Sequence, residues 1–272
     1  MVVENCIIGV ILSIAILVPL GMKWELDKKV TLPSSVIIGI FSGASVAIFT
    51  LFWQLNYFIM VMVQIFIIIS ASGSLLLWRF FRDPEREPPQ DQNGILSPAD
   101  GQIIYIKRIE AGEIPISEKK GRSIPLNDFV QSDLLSEQGT LIGIAMNFLD
   151  VHVNRAPLDG RIRLLKHIKG FFLSLKRKEA VVQNERVLTV IDNGNYKIGI
   201  VQIASRLVRK IIPYVQEGHE VRRGQRIGTI RFGSQVDLYL PDLPSLRIRV
   251  NQDEKVKAGL SVIATFEREK VQ

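Results

Sequence analysis

The chain has 272 residues, of which 47% are hydrophobic, and a mean hydropathy of +0.21. It is therefore too apolar to be one average soluble domain, and most of the excess lies in about the first 80 residues. A single cysteine excludes a disulfide framework and a zinc cluster built from thiolates.

Three apolar segments lie in the N-terminal part of the chain, at residues 6–22, 36–53 and 57–78. No charged residue lies between Lys29 and Arg79, and a membrane crossing needs about 20 apolar residues. The last two segments therefore predict two crossings with a turn at 54–56. A cleaved signal peptide is the alternative for the first segment, but Glu4 stands where such a peptide carries basic residues. We expect a membrane anchor of three transmembrane helices over residues 1–81.

Basic residues flank this anchor. The loop 23–29 and the exit 79–86 contain lysine or arginine, whereas the N-terminus and the turn at 54–56 contain none. Three crossings put both basic flanks on one side of the membrane, which the positive-inside rule makes cytoplasmic. The net charge of +7 would suit a domain held against anionic lipids, although it would equally suit ordinary solvated surface. The sequence thus predicts a cell-membrane protein with its globular domain on the cytoplasmic face.

A polar, proline-rich segment at 82–94 is interpreted as a linker, because proline disfavours helix. From 95 to 272 the apolar runs are short and rich in β-branched residues, as in "RVLTVI" and "KIGIVQIA". Between these two runs, Asn193-Gly194 indicates a hairpin, since glycine readily supplies the positive φ angle of a tight turn. We therefore predict a mostly β domain with few short helices.

Two weak internal repeats refine that prediction. "SPADGQI" at 97–103 is echoed by "APLDGRI" at 156–162, and "EVRRGQRIGTI" at 220–230 by "KVKAGLSVIAT" at 255–265. Asp-Gly favours a turn, and the Val-x-x-Gly rhythm is similar to that of barrel-sandwich domains such as the lipoyl and biotinyl carriers. The domain is therefore predicted to be barrel-sandwich-like and built from duplicated hairpins.

Few side chains suit catalysis. The chain has no Gly-rich phosphate loop, no G-x-S-x-G elbow and no H-E-x-x-H. Of its three histidines, His219 is most simply an exposed turn residue, and His167 could face solvent or a ligand. His152 follows a strand and precedes a turn, where scaffolds often present catalytic groups, although a structural role is equally open. Gly233-Ser234, in "IRFGSQVDLYLP", indicates by spacing alone only a bulge or turn between two strands.

Several motifs in a fixed order resemble the phosphatidylserine decarboxylase family. They are "SPADG", "DVHVNRAPLDG", "HIKGFF", "NER", "VQIASRLVRKI" and "FGSQVDLYLP", and the resemblance covers residues 95–241. It is specifically to the shorter branch of the family, which includes enzymes acting on phosphatidylserine and on its ether-lipid analogue, archaetidylserine. The resemblance implies an enzyme of phospholipid synthesis.

Members of this family are proenzymes that cut themselves before the serine of a Gly-Ser pair, which maps onto Gly233 and Ser234. The resemblance implies that the Ser234 hydroxyl attacks the Gly233 carbonyl and forms an ester by an N-to-O acyl shift. Elimination and hydrolysis then convert Ser234 into a pyruvoyl group with loss of ammonia. The products would be a large (β) chain, 1–233, and a small (α) chain, 234–272, which stay together as a heterodimer. Whether higher oligomers form is left open.

The resemblance also assigns the groups that activate the serine. The family's base maps onto His152, and the carboxylate that orients it maps onto Asp100. Asp159 lies in the matching turn of the other repeat, so an Asp-Gly turn needs no catalytic reason. The position of Asp100 in the family motif favours it as the carboxylate.

After maturation, the resemblance implies that the substrate amine forms a Schiff base with the pyruvoyl group, which accepts electrons as carbon dioxide leaves. No metal, dissociable cofactor or nucleic-acid partner is expected, and the substrate is a phospholipid in the membrane. Arg155 and Lys169 are candidate contacts for its phosphate, because a phosphodiester needs a cation, although both could equally be surface charges.

Two points separate this chain from longer family members. Those often read Leu-Gly-Ser-Thr at the cut and have a histidine three residues before the base. Here the cut reads "FGSQ" and Leu149 occupies the second position, so His152 becomes the default proton donor to the α-carbon. The competing interpretation is a non-catalytic, membrane-anchored barrel-sandwich adaptor or carrier. An adaptor would need heptads and an outward-facing domain, and a lipoyl-like carrier would need a lysine where Gly-Ser stands.

Overall fold

The computed structural model describes residues 2–23, 26–91, 93–110, 116–119, 122–125, 138–168, 185–204, 210–231 and 235–267. For 116–119, 122–125 and Arg231 it describes the backbone only. The chain divides into two compact units. The first comprises Met1–Arg82 and Asn147–Leu149, and the second comprises Asp83–Met146 and Asp150–Gln272.

The first unit contains three helices, α1 (Val2–Lys23), α2 (Lys28–Phe49) and α3 (Tyr57–Phe81). Each is long and apolar enough to cross a membrane, which confirms the prediction of three apolar N-terminal helices. Helix α2 begins at Lys28 rather than at residue 36, because the Asp27 side chain caps it by accepting the Lys29 N–H. Charged first-turn residues thus belong to the helix but not to its apolar stretch.

Helices α1 and α2 pack closely where glycines face each other. A side chain on Gly9 would collide with the backbone of Gly39, so only glycine permits this approach. Helix α3 adds polar contacts, since Gln64 Nε2 donates to the Asn5 carbonyl at 3.1 Å and Ser42 Oγ donates to the Gln64 carbonyl at 3.2 Å. Small residues and interhelical hydrogen bonds therefore hold this unit together.

The second unit is mostly β, as predicted, and its described residues contain no helix. Its strands are β1 (Gly94–Leu96), β2 (Gly101–Ile109), β3 (Ile116–Lys119), β4 (Arg122–Pro125), β5 (Gly139–Ala145), β6 (Val153–Arg155), β7 (Gly160–Ile168), β8 (Arg186–Asp192), β9 (Lys197–Ile203), β10 (Lys210–Pro213), β11 (Glu220–Val221), β12 (Arg226–Arg231), β13 (Gln235–Pro241), β14 (Leu246–Ile248), β15 (Lys255–Val256) and β16 (Val262–Phe266). An eight-stranded sheet has the order β11-β7-β8-β9-β13-β5-β2-β15. Two three-stranded sheets have the orders β1-β16-β14 and β10-β12-β6, and β3 pairs with β4.

The main core draws on all three larger sheets, with members such as Ile95 from β1, Ile144 from β5 and Ile211 from β10. Side chains alternate between the two faces of a strand, so β13 contributes Leu238 to this core and Tyr239 to a smaller cluster on the other face. The eight-stranded sheet is therefore buried on both faces along β13.

The predicted hairpin joins β8 to β9, whose last pair is Asp192 and Lys197. Gly194 has a φ of +92°, which confirms why glycine is needed in this turn. The Asp192 carboxylate accepts the Gly194 N–H at 2.8 Å, and this bond holds the pKa of Asp192 below its usual value. The Asp192 side chain therefore stabilises the turn that follows it.

The internal repeats are structurally equivalent. In one repeat, Gly259 N–H donates to the Ser97 carbonyl at 2.9 Å, and in the other Gly224 N–H donates to the Ala156 carbonyl at 2.8 Å. Each Val-x-x-Gly turn thus binds a Pro-x-Asp-Gly turn in the same way. The short strands before these turns also match, because β15 pairs with β2 as β11 pairs with β7.

The segment that the sequence predicts as a linker is bound to the β unit. We call residues 83–91 the strap. Arg226 donates to Asp83 at 2.5 Å and to Glu85 at 2.7 Å, and Arg223 donates to two strap carbonyls at 2.6 and 3.2 Å. The strap has neither helix nor strand, so its order comes from arginines far away in the sequence.

Candidate active site

Gly233 and Ser234, the predicted cleavage site, lie outside the described residues, between β12 and β13. The chain resumes at Gln235, which pairs with Ala145 of β5 and Ile203 of β9. Every residue of β13 is buried. The segment after the predicted cut therefore starts in the centre of the largest sheet.

His152 is attached to the strand that leads into the predicted cut. Its carbonyl accepts the Ile230 N–H at 3.1 Å and the Thr229 hydroxyl at 2.9 Å, both from β12. The residue is 2% exposed. The predicted base thus lies in the turn between β5 and β6. The pairing of β6 with β12 fixes its position.

The ring of His152 has a defined tautomer. Its Nδ1 lies 2.8 Å from the Asp150 carbonyl oxygen, which can only accept a hydrogen bond. In the neutral ring Nδ1 therefore carries the hydrogen, and Nε2 carries the lone pair that a general base requires. The Asp150 carbonyl of the loop backbone therefore favours this tautomer.

Asp100 is a buried carboxylate held by other groups. Arg86 donates from Nη1 to Oδ1 at 2.5 Å and from Nη2 to Oδ2 at 2.9 Å, and the Ala258 N–H donates to Oδ1 at 2.8 Å. Within the described part of the chain, His152 is not among its hydrogen-bond partners. The role of Asp100 in orienting His152 therefore remains a prediction. In the structure Asp100 forms an ion pair with Arg86, which the sequence does not reveal.

Asp159, the carboxylate in the matching turn of the other repeat, makes the same turn contact without a bidentate arginine. Its Oδ1 accepts the Arg223 N–H at 2.8 Å, as Asp100 accepts the Ala258 N–H. Asp159 is exposed, whereas Asp100 is 6% exposed. The two turns thus share one architecture and differ in the burial and charge around their carboxylates.

Arg155 is buried and bound to protein acceptors. Its guanidinium donates to the Gly224 carbonyl at 2.9 Å, the Pro84 carbonyl at 2.9 Å and Asp83 at 3.3 Å. Burial lowers the pKa of this side chain below its usual value. In this structure the Arg155 side chain binds the strap. Its predicted contact with the substrate phosphate stays a prediction. Lys169, the other predicted contact, lies outside the described residues.

The other predicted positions lie as follows. His219 is exposed in its turn, as predicted, and His167 Nε2 lies 2.7 Å from Glu185. Leu149 belongs to the helical unit, where its carbonyl accepts a hydrogen bond from Arg82 at 3.0 Å. Over the described ranges, no group of three or more His, Cys, Asp or Glu side chains is placed to hold a metal ion.

A buried polar network beside the predicted cut was missed by sequence reasoning. Gln235 Nε2 donates to Asp237 at 2.8 Å and to the Tyr105 hydroxyl at 3.1 Å, and that hydroxyl donates to Asp237 at 2.9 Å. The signal was present in "QVDLYLP", where polar residues alternate with apolar ones in a strand that is buried on both faces. This network anchors the side chain of the first residue after Ser234.

Comparisons with known proteins agree with the resemblance described above. The family model described as phosphatidylserine decarboxylase matches residues 74–264. This match includes the strap, both Asp-Gly turns, His152 and the Gly-Ser pair.

Individual relatives cover most of the chain. A protein of Methanothermobacter thermautotrophicus named as an archaetidylserine decarboxylase proenzyme is 40% identical over 199 residues, 73% of this chain and 84% of its own length. A protein of the same name from Methanocaldococcus jannaschii is 40% identical over 71% of this chain and 92% of its own. A phosphatidylserine decarboxylase proenzyme of Geobacter metallireducens is 34% identical over 72% of this chain and 80% of its own.

Proposed function

The chain belongs to the phosphatidylserine decarboxylase family, and on that basis we propose that it cuts itself and then decarboxylates the serine headgroup of a membrane phospholipid. One structural observation carries the proposal. The carbonyl of His152 is bound by two residues of β12, the strand that leads directly into Gly233-Ser234. The base and the bond to be cut are therefore linked by a single strand.

The self-cleavage and pyruvoyl-forming steps use groups of this chain and one water. His152 Nε2 takes the proton of the Ser234 hydroxyl, and the oxygen attacks the Gly233 carbonyl. The carbonyl–nitrogen bond breaks as the ester forms, and the Ser234 nitrogen takes up a proton. Loss of the Ser234 α-hydrogen then expels the Gly233 carboxylate and leaves dehydroalanine. This tautomerises to an imine, and one water replaces its nitrogen, which leaves as ammonia.

Two described residues, Gln235 after the cut and His152, fit such a group. Gln235, which would follow the pyruvoyl group, is 1% exposed and held by Tyr105 and Asp237. Once formed from Ser234, the pyruvoyl group would supply an electron sink for the departing carboxylate of an amine-bearing substrate. His152, with its lone pair on Nε2, would hold and return the proton that replaces carbon dioxide on the α-carbon.

The location of the reaction follows from the helical unit and its charges. Three helices long enough to cross a membrane precede the β unit, which supports a substrate taken from the bilayer. Lys23, Lys28, Lys29 and Arg79 lie at the three helix ends that three crossings bring to one side: the end of α1, the start of α2 and the end of α3. We assign that side to the cytoplasm by the positive-inside rule. The basic helix ends would attract anionic serine phospholipids.

The relatives' names cover two lipid backbones, so the proposed substrate class is a glycerophospholipid with a serine head and either acyl or ether chains. The test supplies purified full-length protein in detergent with carboxyl-labelled phosphatidylserine or archaetidylserine in separate assays. Carbon dioxide release from at least one lipid is expected, and Ser234→Ala should abolish it.

The same assay separates the enzyme from a carrier. An adaptor or carrier would release no carbon dioxide from either lipid, and that result contradicts the proposal. Release that persists in Ser234→Ala would contradict the assignment of Ser234. A faster reaction with one lipid would identify the backbone.

A further inference from the structure

We propose that Arg86 is a positioning residue for self-cleavage, which fixes the Asp100 carboxylate and ties it to Ala258 of the small chain. This inference rests on the proposed function and adds a residue that neither the family motifs nor the relatives' names single out. Arg86 lies in the strap, 14 positions before Asp100 in the sequence. It would act through Asp100 and would not touch the substrate.

The contact between Arg86 and Asp100 has the geometry of a clamp. Two parallel hydrogen bonds of 2.5 and 2.9 Å join the guanidinium to both carboxylate oxygens, and the side chains are 7% and 9% exposed. A bidentate arginine fixes the plane of a carboxylate as well as its position. Lysine has a single ammonium group and cannot reproduce this geometry.

The clamp also decides where Asp100 can accept another hydrogen bond. An ionised carboxylate has about four acceptor positions. Oδ1 accepts from Arg86 and from the Ala258 N–H, while Oδ2 accepts only from Arg86 among the described residues. The remaining position is therefore on Oδ2, and Arg86 sets its direction. A group that uses Asp100 during cleavage would have to approach that oxygen.

The second repeat shows that the turn itself does not need the arginine. Asp159 accepts a turn N–H at the same 2.8 Å distance, but the nearby Arg223 guanidinium interacts with it only electrostatically and donates instead to the Pro89 and Asp91 carbonyls, so among the described residues no bidentate arginine binds Asp159. If Arg86 served only to build an Asp-Gly turn, the equivalent turn would need a counterpart. The clamp is therefore specific to the carboxylate that the family motif assigns to catalysis.

Arg86 also connects the two future chains. Its Nη1 donates to the Ala258 carbonyl at 2.7 Å, while the Ala258 N–H donates to Asp100. Arg86 and Asp100 belong to the large chain, and Ala258 belongs to the small chain after a cut at 233–234. Arg86, Asp100 and Ala258 thus each bind the other two. These contacts would keep Asp100 in place after the bond between Gly233 and Ser234 is cut.

The strap offers a matched control. Arg226 binds Asp83 and Glu85 of the same strap but does not bind Asp100. Arg226→Gln should loosen the strap and leave the clamp residues intact. Asp159→Asn serves as the control for the turn. Any effect shared by Arg86→Gln and Arg226→Gln would come from the strap alone.

The experiment follows cleavage of full-length precursor, made by cell-free translation with membranes, after a pulse of labelled methionine. We expect Arg86→Gln to slow cleavage about tenfold or more, a fraction of the 10²–10⁴ that a general base supplies. Arg86→Lys should be intermediate, and both controls should remain within about twofold of the unmodified chain. Millimolar guanidinium should accelerate cleavage of Arg86→Ala without changing its melting temperature.

Each other outcome has a distinct meaning. If Arg86→Gln is cut at the normal rate while Asp100→Asn is not cut, the positioning role is overturned. Equal slowing by Arg86→Gln and Arg226→Gln also overturns it, as does a guanidinium effect that follows melting temperature only. If the unmodified precursor is never cut, the proposed function fails and the role of Arg86 fails with it.

Discussion

At the scale of single residues, comparing Asp100 with Asp159 distinguishes a carboxylate that only stabilises a turn from one with a proposed catalytic role. Both carboxylates cap a Val-x-x-Gly turn through one backbone N–H, with equal distances of 2.8 Å. Only Asp100 is buried and paired with an arginine. A buried ion pair is weak evidence for stability, because desolvation offsets its attraction. A functional reason for the pair at Asp100 is therefore the better explanation.

Substitutions at the two turns test this distinction. Asp100→Asn and His152→Ala should leave the precursor uncut, with a loss of roughly 10³–10⁴ in cleavage rate, since each disables the activation of Ser234. Asp159→Asn should be cut normally. Electrophoresis of freshly expressed protein measures all three. Normal processing of Asp100→Asn or His152→Ala would remove that residue from its proposed role.

At the scale of elements, the strap is ordered without any secondary structure of its own. Gly224 has a φ of +80°, and a side chain there would collide with the ring of Pro88. Gly218 has a similar φ of +85°, but the nearest atom to a side chain there is Arg161 Nη2 at 3.8 Å. The two glycines therefore share the backbone requirement, and only Gly224 contacts the strap.

This pair predicts a difference in stability. Gly218→Ala and Gly224→Ala should each cost about 1–2 kcal/mol, because alanine avoids positive φ. Gly224→Ala should cost roughly 1–3 kcal/mol more through overpacking against Pro88. Denaturant unfolding of the detergent-solubilised protein measures both. Equal losses would show that Pro88 does not pack on this turn in solution.

The strap should also respond to pH through Glu85. A hydrogen bond from Arg226 lowers the pKa of Glu85 below its ordinary value of 4.5. Because this pKa is lowered, the contribution of the ionised Glu85 to folding stability is complete above pH 4.5 and is lost as the pH falls through the lowered value. The melting-temperature difference between the unmodified protein and Arg226→Gln should therefore stay constant from about pH 7 to 5 and shrink in more acidic solution. A difference that grows on acidification would contradict the assignment.

The elements themselves were predictable from local patterns. Apolar length predicted the three helices, and alternating β-branched runs and Asn193-Gly194 predicted the strands and the hairpin. The strap was not predictable, because its order depends on arginines more than a hundred positions away in the sequence. The clamp between Arg86 and Asp100 spans only 14 positions, but its third member, Ala258, is more than a hundred positions away, and no local pattern pairs the three. The "RDPER" sequence looks like a solvated charge run until the fold supplies its partners.

At the scale of the whole molecule, the segment after Ser234 is part of the sheets. Strand β13 lies between β9 and β5, β16 lies between β1 and β14, and β15 pairs with β2. The only cysteine is Cys6, so no disulfide can join the two chains. Backbone pairing and burial must therefore hold the small chain after cleavage.

This arrangement predicts that the small chain is retained. Both chains should co-purify in mild detergent at a one-to-one ratio, with or without reductant, and should separate only in denaturant. Size-exclusion chromatography followed by denaturing electrophoresis checks the ratio. Loss of the small chain from the folded protein would contradict the sheet order described above.

The central claim is that Ser234 becomes a pyruvoyl group, and intact mass spectrometry of the denatured protein tests it most directly. The account predicts a large chain ending at Gly233 and a small chain, 234–272. The small chain should be lighter, by the mass of one ammonia, than the same peptide with an N-terminal serine, because a ketone and a methyl group replace the amine and the hydroxymethyl group of that serine. Borohydride should add two hydrogens to that ketone. A single uncut chain of 272 residues, unchanged by Ser234→Ala, would contradict the account.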